Sequence, residues 1–257
     1  MLTEEDFAKF KEFRVTAMGN KLREIIDDPA YDLKTFEEKV KEMIDAQVMA
    51  KTTNKIQKLN KSAGFKLPNA CVEEIVYLPE RTLSKDRITR LATCKWVEDN
   101  EVVAIISKTG CGKSYIAQAL GNAACRNLYS VRYRRLADIF ADLNQARIAC
   151  DGSYYEKIDE YKRVKVLIMD DFLTTPITTE NAIDLFEILE AREQTGATLI
   201  ASQLEPNEWY LRIEGELMAD SILGRTGSTA RYLDIDGPNM REYFAKKRLR
   251  EEEFGTK

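Results

Sequence analysis

The stretch Ser107-Lys-Thr-Gly-Cys-Gly-Lys-Ser114 carries the chemistry that is easiest to name. Glycines at 110 and 112 let the main chain curl so that successive N–H groups point at one anion. The residues that follow, Tyr115-Ile-Ala-Gln-Ala-Leu120, read as a helix, whose N-terminal dipole end also favours negative charge. Lys113 would neutralise the outer phosphates of a nucleotide, and the Ser114 hydroxyl would ligate Mg²⁺. The candidate nucleotide-binding residues are therefore Thr109, Gly110, Cys111, Gly112, Lys113, Ser114 and Tyr115. The phosphate-loop pattern has glycine at its first position, and this chain has Ser107 there. A glycine-rich turn that matches by chance is the plain alternative. The apolar run Val102–Ile106 before the loop and the helix after it are the context that a true phosphate loop requires.

A second group of reactive residues lies 57 positions after Lys113, where the apolar run Val166-Leu-Ile-Met ends in Asp170-Asp171. A carboxylate at the C-terminal end of the strand beside the phosphate-loop strand can hold Mg²⁺ through water, which assigns Asp170. The next residue commonly polarises the attacking water; here it is Asp171, shorter than the usual glutamate. An ordinary pair of strand-end acids is the alternative. The chain contains no histidine. That removes Ser-His-Asp and Cys-His nucleophile systems and every histidine-ligated zinc site. Carboxylates, lysine, arginine, hydroxyls and an oxygen-bound metal remain, which suits phosphoryl transfer, where catalysis is mostly positioning and charge neutralisation.

Composition narrows the class further. The 257 residues carry 39 Lys and Arg against 43 Asp and Glu, and 44% are apolar, a globular composition with a charged surface. No apolar run approaches the roughly 20 residues of a membrane helix, so no membrane association is expected. The opening Met1-Leu-Thr-Glu-Glu-Asp is acidic and lacks the apolar stretch of a signal peptide. Cysteines 71, 94, 111, 125 and 150 are scattered without a C-x-x-C pair. This argues against a disulfide framework and fits a reducing cytoplasm.

The elements that must position these residues fall into two regions. Residues 1–66 read as a helical N-terminal domain. Thr3-Glu-Glu-Asp6 is a capping box, Phe7, Phe10, Phe13 and Ala17 follow at helical spacing, and Asp28-Pro29 breaks the pattern. A second amphipathic helix runs from about Leu33 to about Leu59, and Gly64 and Pro68 mark the boundary. Residues 67–257 alternate apolar strands with helices: strands at 102–106, 130–134, 164–169, 197–202 and 232–235, helices at 114–127, 136–146 and 179–194, with helical segments to about 223. Such alternation predicts βαβ units and an α/β fold built on a parallel five-stranded sheet. The polar segment Asp151–Arg163, with Tyr154 and Tyr155, is expected to be a mobile loop, its tyrosines packed or offered to a base.

The order and spacing of these motifs resemble AAA+ ATPases of the IstB/DnaC group, the helper ATPases of insertion sequences most of all. Segments that carry the likeness include Thr109–Ser114, Phe65–Cys71, Leu91–Trp96, Ala119–Cys125, Tyr133–Asp138, Ser202-Gln-Leu204, Met218–Arg225 and Gly237–Arg241, spanning nearly the whole chain with its helical N-terminal region. Asn122 and Gly224 stand where relatives often carry histidine and aspartate. The resemblance implies an AAA+ P-loop fold with a reduced C-terminal lid, ATP and Mg²⁺ as cofactors, and hydrolysis of ATP. It also implies roles for three residues. Ser202 is expected as sensor 1, between nucleotide and Asp170. Arg225 is expected as an arginine finger reaching the γ-phosphate of a neighbouring subunit in a homo-oligomer. Arg241 is expected as sensor 2, on phosphate in its own subunit. On their own, the three read as a turn residue, a surface arginine and a helix-surface ion pair.

Two basic features point to double-stranded DNA. Residues 46–72 contain no acid but carry Lys51, Lys55, Lys58, Lys61 and Lys66, with 51, 55 and 58 on one helix face. Arg132, Arg134 and Arg135 form a second cluster at a strand end. Solvated faces are the bland reading; contact with the phosphate backbone is the sharp one, which the resemblance favours. No base-reading motif is present, so binding would be non-specific. The leading expectation is an oligomeric ATPase assisting a transposase. A DnaC-like helicase loader, a small-molecule P-loop kinase and a nucleotide-gated clamp with vestigial hydrolysis are the alternatives. The kinase is disfavoured because little more than one helix follows the last strand to make a lid.

Overall fold

A computed structural model describes residues 2–228 and 230–254, and the chain divides into two compact units, residues 1–58 and 59–257. The first unit contains α1 (Glu4–Glu12), α2 (Thr16–Asp27) and most of α3 (Phe36–Ala63). Thr3 and Asp6 form the expected capping box, the Asp6 N–H donating to Thr3 Oγ1 at 3.3 Å and the Thr3 N–H to Asp6 Oδ2 at 3.0 Å. The helix does not run on to Asp28, as the phenylalanine spacing suggests. It stops after Glu12, with Arg14 in the left-handed region (φ 58°). The Val15 N–H bonds back to Phe10 O (2.8 Å) and the Arg14 N–H to Lys11 O (3.0 Å), closing the helix with an arginine where glycine is usual. Gly19 lets α2 meet this turn, because a Cβ there would lie 2.7 Å from Phe10 Cγ.

The division falls inside α3 rather than after Gly64. Its last turn belongs to the second unit, where Ala63 is fully buried and Leu59 packs on the same core. The second unit then contributes α4 (Lys85–Ala92), α5 (Lys95–Glu98), β1 (Val102–Ser107), α6 (Lys113–Arg126), β2 (Val131–Arg135), α7 (Leu136–Ala149) and α8 (Ser153–Arg163). They are followed by β3 (Val166–Asp170), α9 (Thr179–Arg192), β4 (Ala197–Ser202), α10 (Pro206–Tyr210), α11 (Glu216–Thr226), β5 (Arg231–Ile235) and α12 (Met240–Phe254). The five strands form one parallel sheet in the order β2-β3-β4-β1-β5. Along β1 the side chains alternate: Val103 and Ile105 enter the core beneath α6, while Ala104 and Ile106 enter the core beneath α7, α8, α9 and α11. Apolar residues on both faces are what a central parallel strand requires.

Two expectations are corrected here. The strand ending in Asp170 is not the neighbour of β1, because β4 lies between them, paired with β1 on one side and β3 on the other. Sequence order cannot reveal such an insertion, since every crossover in a parallel sheet looks alike along the chain. The segment 151–163 is not a loop but helix α8, held down by Ile158 and Tyr161, both buried. Tyr154 donates to Asp184 at 2.7 Å, with the Arg147 guanidinium over its ring, while Tyr155 is exposed. Among the described residues, no helix is long and apolar enough to cross a membrane.

Candidate functional site

The C-terminal ends of β1, β3 and β4 bring the loop, the acids and a glutamine together. Gly110 and Gly112 adopt φ values of 88° and 89°, with Gly112 as the N-cap of α6. A side chain is barred from position 110 twice over, by this backbone and because a Cβ would lie 2.5 Å from Asn239 Oδ1. Ser107 needs no such freedom. It is the last residue of β1, in register with Ile235, and is absent from the positions of positive φ, so serine in place of glycine leaves the loop's curl intact. Cys111 is buried, its thiol against Gly237 O at 3.5 Å, in keeping with a filler role.

Lys113 is only 6% exposed, and its ammonium lies 3.7 Å from Asp171 Oδ1. Asp171 reaches it from a left-handed backbone (φ 50°), which a non-glycine residue adopts at a cost of order 1–3 kcal/mol. Asp170 is 2% exposed, with the Tyr133 hydroxyl donating to Oδ2 at 2.7 Å and the Asp171 N–H donating to Oδ1 at 2.9 Å. Burial, and then the Asp170 charge, push the Tyr133 hydroxyl far above the ordinary tyrosine range, so it stays a donor. Tyr133 escaped the sequence reading because a strand tyrosine at a buried position looks like core.

Ser202 does not occupy the sensor position. It is fully buried on the other face of β4. Its hydroxyl donates to Phe172 O (2.8 Å) and accepts from Trp209 Nε1 (3.0 Å) and the Leu204 N–H (3.1 Å). The next residue, Gln203, accepts from the Thr109 hydroxyl at 2.5 Å and so faces the phosphate loop. Strand alternation is the signal that separates the two: Ile200 and Ser202 share a face, and Ile200 lies in the α9 core.

A cavity of about 700 Å³ opens beside the loop. Its lining includes the polar Ser114, Lys113 and Arg241, and Ile75, Val76, Tyr115, Met240 and Phe244 supply apolar surface. Arg241 therefore does share a site with the loop of its own chain. Tyr115 contributes from α6, its hydroxyl donating to Glu74 Oε2 at 3.2 Å. Ile75, Val76 and Phe244 carry no motif, which is why the apolar wall was not legible. The oxygen groups that could hold a cation are the Ser114 hydroxyl, which lines the cavity, and Asp170 at the end of β3; Glu74 lines the cavity as well. Among the described residues no group of three or more Asp, Glu, Cys or His could hold a metal alone. This suits Mg²⁺, which binds through one or two protein oxygens together with water and substrate phosphates.

A family described as IstB-like ATP binding protein matches residues 8–248. The chain belongs to the IstB-like ATP-binding protein family. An insertion sequence ATP-binding protein of Sinorhizobium fredii is 36% identical over 172 residues, covering 67% of this chain and 69% of the relative. The ATP-binding protein of insertion sequence IS1162 from Pseudomonas fluorescens is 30% identical over 205 residues, covering 79% and 87%. Solved structures share the fold. The structure of DnaI superposes with a TM-score of 0.55 at 20% identity, covering 66% of this chain and 90% of that one. AMPPCP-bound DnaA from Aquifex aeolicus gives 0.57 at 20% identity, covering 72% of this chain but only 56% of its own length. The fold is thus an AAA+ P-loop fold, as the sequence resemblance implied.

The other candidate residues of this IstB-like chain are placed differently. Arg225 lies within α11, near its end, and its guanidinium bonds Ser221 O (3.1 Å), pairs with Glu190 and Glu193 (both 3.4 Å) and covers the Phe186 ring. It lines a cavity of about 260 Å³ with Val102 and Thr198, at the starts of β1 and β4. A strand of this length spans roughly 20 Å, so Arg225 stands a strand's length from the phosphate loop of its own chain. Leu217, on the same helix, is 86% exposed. The arginine cluster of β2 is not an open basic patch, because each member has an acid: Arg132 with Glu160, Arg134 with Asp142 at 3.4 Å, and Arg135 with Asp138 at 2.7 Å. Sequence spacing showed the arginines but not the acids of α7 and α8 that fold against them. Lys51, Lys55, Lys58 and Lys61 are all exposed on α3.

Proposed function

We propose that this IstB-like chain binds and hydrolyses ATP with Mg²⁺ at the β1–α6 loop, works as a homo-oligomer on double-stranded DNA, and assists a transposase in the cytoplasm. One observation carries the catalytic part: Lys113, Ser114 and Arg241 line one cavity at the C-terminal end of β1, and Asp171, next to the strand-end Asp170, reaches to 3.7 Å from the Lys113 ammonium. In this reading the loop amides and Lys113 hold the phosphates, Ser114 and Asp170 hold the metal, and the apolar wall of Ile75, Val76 and Phe244 covers the base. Bound Mg²⁺ would neutralise phosphate charge. Asp170 accepts two hydrogen bonds, from the Tyr133 hydroxyl and the Asp171 N–H, which fix its carboxylate in place. Asp171 would leave Lys113 once phosphate takes the ammonium, and would then orient a water for in-line attack. Arg225 would come from a neighbouring subunit, since its own loop is out of reach. The insertion-sequence relatives support the transposase, and the acid-free lysine face of α3 supports non-specific contact with DNA.

The test is ATP turnover by the purified chain with and without duplex DNA, across a range of salt. Duplex-stimulated turnover is expected. Reversal of Lys51, Lys55 and Lys58 to glutamate should weaken DNA binding and flatten its logarithmic salt slope by about 2–3, one counterion per lysine. Binding and slope unchanged in that variant would reduce the lysines to a solvated face. Co-purification with a replicative helicase instead of a transposase would move the chain to the loader role.

A further inference from the structure

We propose that Arg81, at the edge of the same cavity, is a positioning residue that sets the phosphate loop and ties it to the apolar wall. This deepens the ATP-binding reading and rests on it. Arg81 belongs to no motif, yet it is only 8% exposed and has no carboxylate partner among the described residues. Its two terminal nitrogens each donate to a main-chain oxygen: Nη1 to Val76 O at 2.5 Å and Nη2 to Cys111 O at 2.7 Å. Val76 is part of the apolar wall, and Cys111 is the middle of the loop. The planar fork of one guanidinium thus spans the two halves of the site. Its Nε is buried without an acceptor. Such a group persists only where its surroundings hold it in place, and here Gly237 packs so tightly against Arg81 that a Cβ would lie 2.8 Å from Cγ.

The consequence for phosphate follows from peptide geometry. The C=O of one residue and the N–H of the next share a plane and point in opposite directions. With Cys111 O turned outward to Arg81, the Gly112 N–H is turned inward. Among the described residues that N–H has no protein acceptor, so it is available to an anion. One peptide earlier the Met240 N–H holds Gly110 O at 2.8 Å, while the Cys111 N–H of that peptide already bonds Lys108 O at 3.4 Å. The outward carbonyl fixed by Arg81 leaves the inward Gly112 amide with no need to reorganise when phosphate arrives, which is where a pre-aimed donor gains its strength. The Arg81 donor carries a charge, so it makes the stronger of the two bonds, and it places positive charge beside the loop.

The experiment compares wild type, Arg81→Ala and Arg81→Lys in the full chain, with Lys113→Ala as the benchmark for a lost phosphate site. ATP and inorganic tripolyphosphate are the two probes, read by calorimetry, and melting temperature is followed in parallel. Arg81→Ala is expected to weaken both probes by about 10- to 100-fold, the effect of a lost charge-assisted bond. Millimolar guanidinium should restore binding to that variant, while sodium chloride at equal ionic strength should not. A purely structural arginine would show no such rescue at unchanged melting temperature. Arg81→Lys keeps the charge but replaces the two-nitrogen fork with a single nitrogen that cannot meet both carbonyls in the same geometry, and is expected to lose about tenfold for ATP; this variant decides the matter if Arg81→Ala does not fold. Wild-type affinity for tripolyphosphate in a folded Arg81→Ala, or for ATP in Arg81→Lys, overturns the proposal. Absence of ATP binding by wild type would instead overturn the reading on which it rests.

Discussion

The two ends of the sheet both hold buried or half-buried charge, and they handle it in opposite ways. At the C-terminal ends of the strands, Lys113 lines an open cavity, with Asp171 3.7 Å from its ammonium, too far for a hydrogen bond, and Asp170 next to Asp171 in the chain. At the other end, the Arg225 guanidinium is engaged by a carbonyl, two carboxylates and an aromatic ring, all from its own chain. One edge offers donors whose capacity is open to a ligand; the other holds its donor against exposed acids that water screens. A chemical centre in a single chain needs the first arrangement. The second suits a group that acts only when another molecule displaces its present partners.

The largest expected effect tests that contrast directly. Arg225→Ala should leave ATP affinity near wild type and lower turnover by about 10³ or more. Lys113→Ala should lose high-affinity binding, about 100-fold or more, because the loop keeps its amides but not its ammonium. Mixed together, the two variants should recover part of the activity, since an intact loop can then meet an intact arginine, and duplex DNA should raise it by promoting assembly. A mixture that stays inactive while the variants still co-assemble, or full turnover by Arg225→Ala, would show that the second edge has no catalytic part.

Much of the first edge was legible because its residues are consecutive. Glycines 110 and 112, Lys113, Ser114 and the acid pair declare themselves by spacing, and so do the five strands. What could not be read depends on residues that meet only in space. The position of β4 between β1 and β3 leaves no trace along the chain. The acids that pair with Arg132, Arg134 and Arg135 come from α7 and α8, and α8 itself looked like a polar loop because only Ile158 and Tyr161 anchor it. Arg14, standing where glycine usually closes a helix, hid the turn between α1 and α2.

Ser202 and Gln203 bring the contrast down to adjacent residues. Ser202→Ala would leave Trp209 Nε1 and the Leu204 N–H without their buried acceptor, at a cost of about 1–3 kcal/mol in stability. Turnover per folded molecule should be unchanged. Gln203→Ala should move stability by about 0.5 kcal/mol or less, because the residue is half-buried, while lowering turnover about tenfold or more through its loss beside Thr109. Thermal unfolding together with ATP turnover separates the two, and the opposite pattern would return the sensor role to Ser202.

The smallest expected effect concerns what holds Arg225 in the isolated chain. Its two acids are more than half exposed, at 56% and 58% for Glu190 and Glu193, so each ion pair is worth about 0–1 kcal/mol. Glu190→Gln and Glu193→Gln, alone or together, should therefore shift the melting temperature only slightly. If the arginine acts on a neighbouring subunit, the same pairs compete with that action, and weakening them favours its release. The double variant should then show turnover equal to or a few times above wild type at protein concentrations where assembly is incomplete, with no change once assembly is saturated. High salt should bring wild type and variant together, because it screens the same exposed pairs. Turnover that falls in step with the loss of the two acids would mean that they hold Arg225 in its working position, and the second edge would then be a built site rather than a resting one.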